Sequence, residues 1–184
     1  MPPLSQILPP LLLLGVIGCA APEGRLVWVR QHGGLANAEY QERAQRVAAP
    51  LLSGYSQGPR RLTVQVLDTD LLGAFGWPDG QIFFTRGLIA LVDDDELAAV
   101  VSHELGHFLD RGHLHAVAGL QGCKEDLDAE TRADLIGVEI LRRQGIPSNA
   151  LPRLLERILT SDQWPTECRN LLRRRLERLS QLDH

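Results

Sequence analysis

From Asp93 to Arg111 the sequence reads as one helix, and that helix carries the most demanding cluster of side chains in the chain. Asp93 stands three residues before Glu96, a capping-box arrangement in which each side chain accepts from the other residue's backbone N–H. Apolar residues then recur at helical spacing until Gly112 closes the run. Inside it lies His103-Glu104-Leu105-Gly106-His107. Residues four apart on a helix have turned about 400°, so both imidazoles leave the same face. Both can reach one ion, and Zn2+ accepts neutral His nitrogens in a tetrahedral shell. Glu104 follows the first His directly. There its carboxylate would touch a water on the ion rather than the ion itself, and would take that water's proton as it attacks a carbonyl.

A catalytic zinc site needs a third protein ligand and an open position. His113 stands where the extended HExxHxxGxxH pattern puts its third His, but position 110 is Asp, not the Gly that pattern needs. That pattern also goes with a methionine turn under the metal, and the sole methionine is Met1. The stronger candidate is Glu130, 23 residues after His107, with Asp134 one turn further on the same helix face. Asp134 would accept the free N–H of a ligating His and orient it. Asp128 or Glu125 takes the ligand's place if the helix phase is different.

The remaining elements are mostly helical. Asn37 to Leu52 has an apolar stripe, with Pro50 near its end. Leu62 to Leu67 alternates like a strand. Leu72 to Trp77 and Gln81 to Thr85 flank Pro78-Asp79-Gly80, a hairpin signal. Helices follow over Arg86 to Val92, Glu125 to Gln144, Ser148 or Asn149 to Leu159, and Thr166 to Leu182, with a loop over 113–123. The expected class is α+β, mainly helical, with a small β-hairpin beside the helix that bears the two His.

Ala74-Phe75, the run Gln81-Ile82-Phe83-Phe84-Thr85-Arg86-Gly87-Leu88, Asp95 to Val100, the HELGH sequence and Glu130…Asp134 together resemble a family of zinc metallopeptidases. It is the gluzincin-type family of HtpX, BepA and the CAAX prenyl endopeptidases, and the resemblance runs from about Leu62 to Leu159. It implies a zincin-like catalytic domain, one zinc ion on His103, His107 and Glu130, Glu104 as catalytic base, and peptide-bond hydrolysis. It also implies that Gln81, Ile82, Phe83, Phe84 and Thr85 form the outer hairpin strand lining the cleft. An extended substrate would add to that strand through main-chain hydrogen bonds. The chain departs from the family at Gly73, where Asn is common, and at Trp164-Pro165, where a His-Pro pair is common. Arg169 matches a family Arg in the last helix and reads as structural. The interval between the HELGH sequence and Glu130 leaves little room for membrane spans.

The first residues read as an address. Leu4 to Gly18 is almost wholly apolar, and no charged side chain precedes Glu23. The run is too short and proline-broken for a good span of about 20 residues. It ends in Val16-Ile17-Gly18-Cys19, which resembles a bacterial lipobox, so residues 1–18 are expected to be a lipoprotein signal peptide and Cys19 the lipidated first residue. Residues 19–25 then form a tether and 26–184 a single domain. This puts the protein in the bacterial cell envelope, lipid-anchored and periplasm-facing, more readily at the outer than the inner membrane. Its partners would be polypeptide substrates, unfolded or misassembled envelope proteins. A net charge of -4 argues against a nucleic-acid partner. Cys123 and Cys168 can pair in such a compartment. Arg173, Arg174, Arg175 and Arg178 read as a solvated helix face. The reading from another class is a zinc-binding but proteolytically idle chaperone or adaptor in envelope protein assembly. An intact Glu104 speaks against it, because an idle module has no need of that carboxylate.

Overall fold

A computed structural model describes residues 22–55, 62–77, 79–110, 127–161 and 164–181. Cys19, His113, Cys123, Glu125 and the loop expected over 113–123 lie outside them, so the expectations placed there are not addressed by the fold.

The chain is α+β and mainly helical: α1 (Pro22–Gln31), α2 (Ala38–Ser53), β1 (Thr63–Leu67), β2 (Ala74–Gly76), β3 (Gln81–Thr85), α3 (Arg86–Leu91), α4 (Asp94–Leu109), α5 (Leu127–Arg143), α6 (Ala150–Leu159) and α7 (Thr166–Ser180). The hairpin forms as expected, with β2 antiparallel to β3 across the turn that contains Asp79-Gly80. Gly80 has a positive φ of 96°, the left-handed region such a turn requires.

The position of β3 corrects one expectation. The sheet order is β1-β3-β2, with β1 parallel to β3. Gln81, Ile82, Phe83, Phe84 and Thr85 therefore form the central strand, buried at every residue and paired along both edges. No main-chain group of β3 is left for an added strand. Its side chains alternate between two layers. Ile82 and Phe84 join the main core beside Val64 and Val66 of β1, Leu51 of α2 and Leu97, Val101 and Leu105 of α4. Phe83 faces the other way, into a cluster of Leu67, Phe75 and Trp77 that is covered by Trp28 and Val29 of α1.

That covering element was not expected. Residues 22–25, assigned to a tether, are the first turn of α1, and Arg25 pairs with Asp79 of the hairpin turn. Trp28 packs 5.0 Å from Trp77 and 5.3 Å from Phe83, ring centre to ring centre. The tether boundary thus falls inside a packed helix. Helix α2 also runs past Pro50 to Ser53, because the fully buried Leu51 holds its last turn against the core.

The outer edge of β1 is closed. Leu35 bridges Leu67, Ala36 donates to Val66 O at 2.9 Å, and the Gln41 amide spans Val66 by donating to its O at 2.7 Å and accepting from its N at 3.0 Å. Among the described residues the outer edge of β2 has no partner. Trp77 donates to Gln81 and Gly73 accepts from Thr85, so residues 73, 75 and 77 face β3. The N–H and C=O groups of Ala74 and Gly76 point the opposite way. Strand β2 lies against α4.

Candidate metal centre

Helix α4 starts as its sequence dictates. Asp93 Oδ1 accepts from Glu96 N at 2.8 Å, and Glu96 Oε2 accepts from Asp93 N at 3.0 Å. Ten residues on, α4 meets α5 at a glycine-lined crossing. A Cβ on Gly106 would sit 2.4 Å from Ala133 O, and one on Gly137 would sit 3.1 Å from His103 N. Each helix thus offers a bare backbone where the other comes closest. The approach brings the α5 face bearing Glu130, Ala133, Asp134 and Gly137 onto the α4 face bearing His103, Gly106 and His107.

At this crossing two imidazole nitrogens and both oxygens of one carboxylate converge. His103 Nε2 lies 3.1 Å from His107 Nε2 and 3.3 Å from Glu130 Oε2, and His107 Nε2 lies 3.2 Å from Glu130 Oε1. His103, His107 and Glu130 together could hold a metal ion. One ligand atom from each of the three side chains lies within 4.8 Å of the others, close enough for all three to reach one small divalent ion at bonds of about 2.0–2.2 Å. The His107 side chain is 20% exposed against 11% for His103 and 7% for Glu130, so the open side of the site is at His107. Asp128 is on the exposed side of α5, paired with Arg178 at 2.8 Å, and does not enter the group.

Asp134 is 1% exposed and its Oδ1 lies 2.8 Å from His103 Nδ1. With a carboxylate at that distance, Nδ1 is the donor, which leaves Nε2 facing the other two ligand atoms. Glu104 is also buried, and among the described residues no His or Arg bonds its carboxylate. It is the one acid of the site not already tied to a cation.

The electrostatics show what the group costs without an ion. Burial and the Arg175 charge both push His103 down, yet hydrogen bonds to Asp134 and Glu130 override them and raise it to about 10. Burial pushes Glu130 up, but its bonds to His103 and His107 hold it well below the usual carboxylate range. Asp134, pushed up by burial, is brought down to about 2 by the Arg175 charge and the His103 hydrogen bond.

Arg175, expected on a solvated helix face, is part of the site. Far from facing solvent, it is 7% exposed. Its Nε and Nη2 donate to the two oxygens of Asp134 at 2.9 and 2.7 Å, and its Nη1 lies 3.1 Å from Glu130 Oε2. The signal was present: Cys168, Leu171, Leu172, Arg175 and Leu179 form one buried stripe on α7, with an arginine where a leucine would be expected. Arg178, on the same face, bonds Asp128 and Thr131 of α5. Arg169 donates to Trp164 O and Ser161 O in the α6–α7 connection, a structural engagement. Cys168 is disulfide-bonded to a partner outside the described residues.

The profile of peptidase family M48 matches residues 35–125, from the segment before α2 through His103, Glu104 and His107. The match stops short of Glu130, Asp134 and Arg175, whose place in the site rests on the geometry above. No curated protein matches the chain.

Proposed function

The chain belongs to peptidase family M48, a family of metal-dependent peptidases, and on that premise we propose that it is a zinc endopeptidase that cleaves extended polypeptides. The observation that carries the reading is the set of 3.1–3.3 Å separations among His103 Nε2, His107 Nε2 and Glu130. Two neutral imidazoles and one carboxylate, with a fourth corner open, are the donor set of a catalytic zinc site rather than a structural one. Zinc bound there would bring the pKa of a coordinated water to about 7 and polarise the scissile carbonyl.

The remaining work falls to side chains and to one strand edge. Asp134 holds the His103 ring so that Nε2 faces the site. Glu104, free of ionic partners among the described residues, takes the proton of the attacking water and returns it to the leaving amine. The substrate's main chain pairs with the outer edge of β2, where the Ala74 and Gly76 amides are presented beside α4. Substrate therefore adds to β2 rather than to β3.

The apolar run before Cys19 supports an envelope location, with a lipid anchor at Cys19 and misassembled envelope proteins as substrates. Among the described residues no helix is long and apolar enough to cross a membrane.

The test is cleavage of casein and of an unfolded outer-membrane protein by wild type and Glu104→Gln, each with its zinc content measured. Wild type should cleave both and the variant neither, with zinc retained. Equal behaviour of the two zinc-loaded proteins would leave the chaperone or adaptor reading in its place.

A further inference from the structure

Arg175 reaches the metal centre from α7, 41 residues beyond Asp134 in sequence. Its guanidinium makes three contacts at once: two parallel bonds to the Asp134 carboxylate and a third, from the remaining nitrogen, to Glu130 Oε2. It also lies 3.3 Å from His103 Nδ1. That nitrogen already gives its hydrogen to Asp134 at 2.8 Å, so the guanidinium abuts the ring there without donating to it.

We propose that Arg175 is a positioning residue of the metal site, which holds Glu130 to the metal through one oxygen and locks Asp134 onto His103. The inference rests on His103, His107 and Glu130 being the zinc ligands. A carboxylate with both oxygens unrestrained can close on a metal with both and block the open corner. Here Glu130 Oε2 is shared between Arg175 Nη1 at 3.1 Å and His103 Nε2 at 3.3 Å, whereas Oε1, 3.2 Å from His107 Nε2, has no arginine partner among the described residues and is the oxygen left to a metal. The planar fork matters because three bonds must be made to two carboxylates from one rigid group. A lysine ammonium has the charge but not that geometry. The guanidinium also offsets two buried carboxylates that otherwise repel each other a single helical turn apart.

A merely structural role, as a bolt between α7 and α5, predicts something different, and Arg178 provides the control. It joins the same two helices through Asp128 and Thr131, away from the ligands. The experiment compares wild type, Arg175→Lys, Arg175→Gln and Arg178→Gln in the full chain. Zinc affinity is measured by competition with a chromophoric chelator, and coordination by the visible absorption bands of the cobalt-substituted protein. Arg175→Lys should bind zinc about 10–100-fold more weakly and shift the cobalt bands, with helix content unchanged. Arg175→Gln should lose at least as much, and Arg178→Gln should keep wild-type affinity and spectrum.

Wild-type zinc affinity and cobalt bands in Arg175→Lys would overturn the proposal while leaving the zinc site in place. So would a lysine variant that fails to fold with or without zinc, since Arg175 would then belong to the fold and not to the site. If wild type itself binds no zinc, the reading of the ligands fails first.

Discussion

Helix α4 carries a buried ionic cluster at each end, and the two are built on opposite plans. At its N-terminus Glu96 is fully buried, accepts from the Asp93 backbone, and takes Arg157 Nε on its two oxygens at 3.0 and 2.8 Å. Every strong acceptor there meets a donor, and the Arg157 side chain stays 44% exposed. Nothing is left over for a ligand. Toward the other end, two imidazole nitrogens and a carboxylate lie within 3.3 Å of one another. Three acceptors brought so close are repulsive unless a cation or a proton sits among them. A structural cluster pairs its charges internally; a binding cluster leaves its acceptors converging on a point the chain itself does not fill.

The sharpest way to break the contrast is at Glu104. Glu104→Gln should lower kcat by about 10²–10⁴-fold, the usual worth of a general base, with KM and zinc content held. A fall explained by zinc loss would instead make Glu104 part of the ligand set. Removing the metal comes next. At a zinc concentration 1,000 times Kd, binding stabilises the fold by about 4 kcal/mol, so a chelator should lower Tm markedly and zinc should restore it. The Glu96 cluster, having no room for an ion, cannot account for such a response.

The crossing itself offers a third probe. Gly106→Ala puts a methyl 2.4 Å from Ala133 O, and backbone cannot move aside cheaply. We expect a loss of about 1–3 kcal/mol in stability, typical of overpacking, together with weakened zinc binding because α5 and its Glu130 are pushed outward. Unaltered zinc affinity would show that the close approach serves packing alone.

How much of this was legible depended on how local each feature is. His103, Glu104 and His107 fall within one helical turn, so their geometry follows from spacing. Glu130 and Asp134 needed only the phase of a second helix. Arg175 required knowing which face α7 lays on α5, a contact that no local pattern encodes, and three neighbouring arginines concealed it. The Asp-Gly turn announces that β2 and β3 pair but does not say on which side β1 joins, so nothing local marks β3 as the central strand. Helix α1 lacks a plain apolar stripe that would announce it: Trp28 and Val29 turn inward while Leu26 and Val27, each more than half exposed, turn out.

Protons give a further comparison between the two ends. In the metal-free fold His103 is raised from 6.5 to about 10. Its contribution to the metal-free fold is fully present below about pH 6.5 and fades as pH rises through 10. Zinc must displace that proton, so apparent zinc affinity should rise about tenfold per pH unit between pH 7 and 9. Calorimetry in buffers of different ionisation enthalpy should find close to one proton released per zinc. Asp134→Asn removes a bond that raises His103 and should flatten the slope; release of no proton by wild type would mean that His103 is neutral before zinc arrives.

The smallest expected effect tests the closed cluster. Asp93→Ala removes the side chain that accepts from Glu96 N, and the loss of an N-cap costs about 1 kcal/mol. Glu96 keeps Arg157 and the rest of α4 keeps its core contacts, so the damage should stay within the first turn. His103 lies ten residues away, held by α5 and α7 rather than by the cap. Stability should therefore fall slightly while zinc affinity and kcat do not change. A drop in zinc affinity would show that the two ends of α4 are coupled, and that the cap helps to set the angle at which the helix presents its histidines.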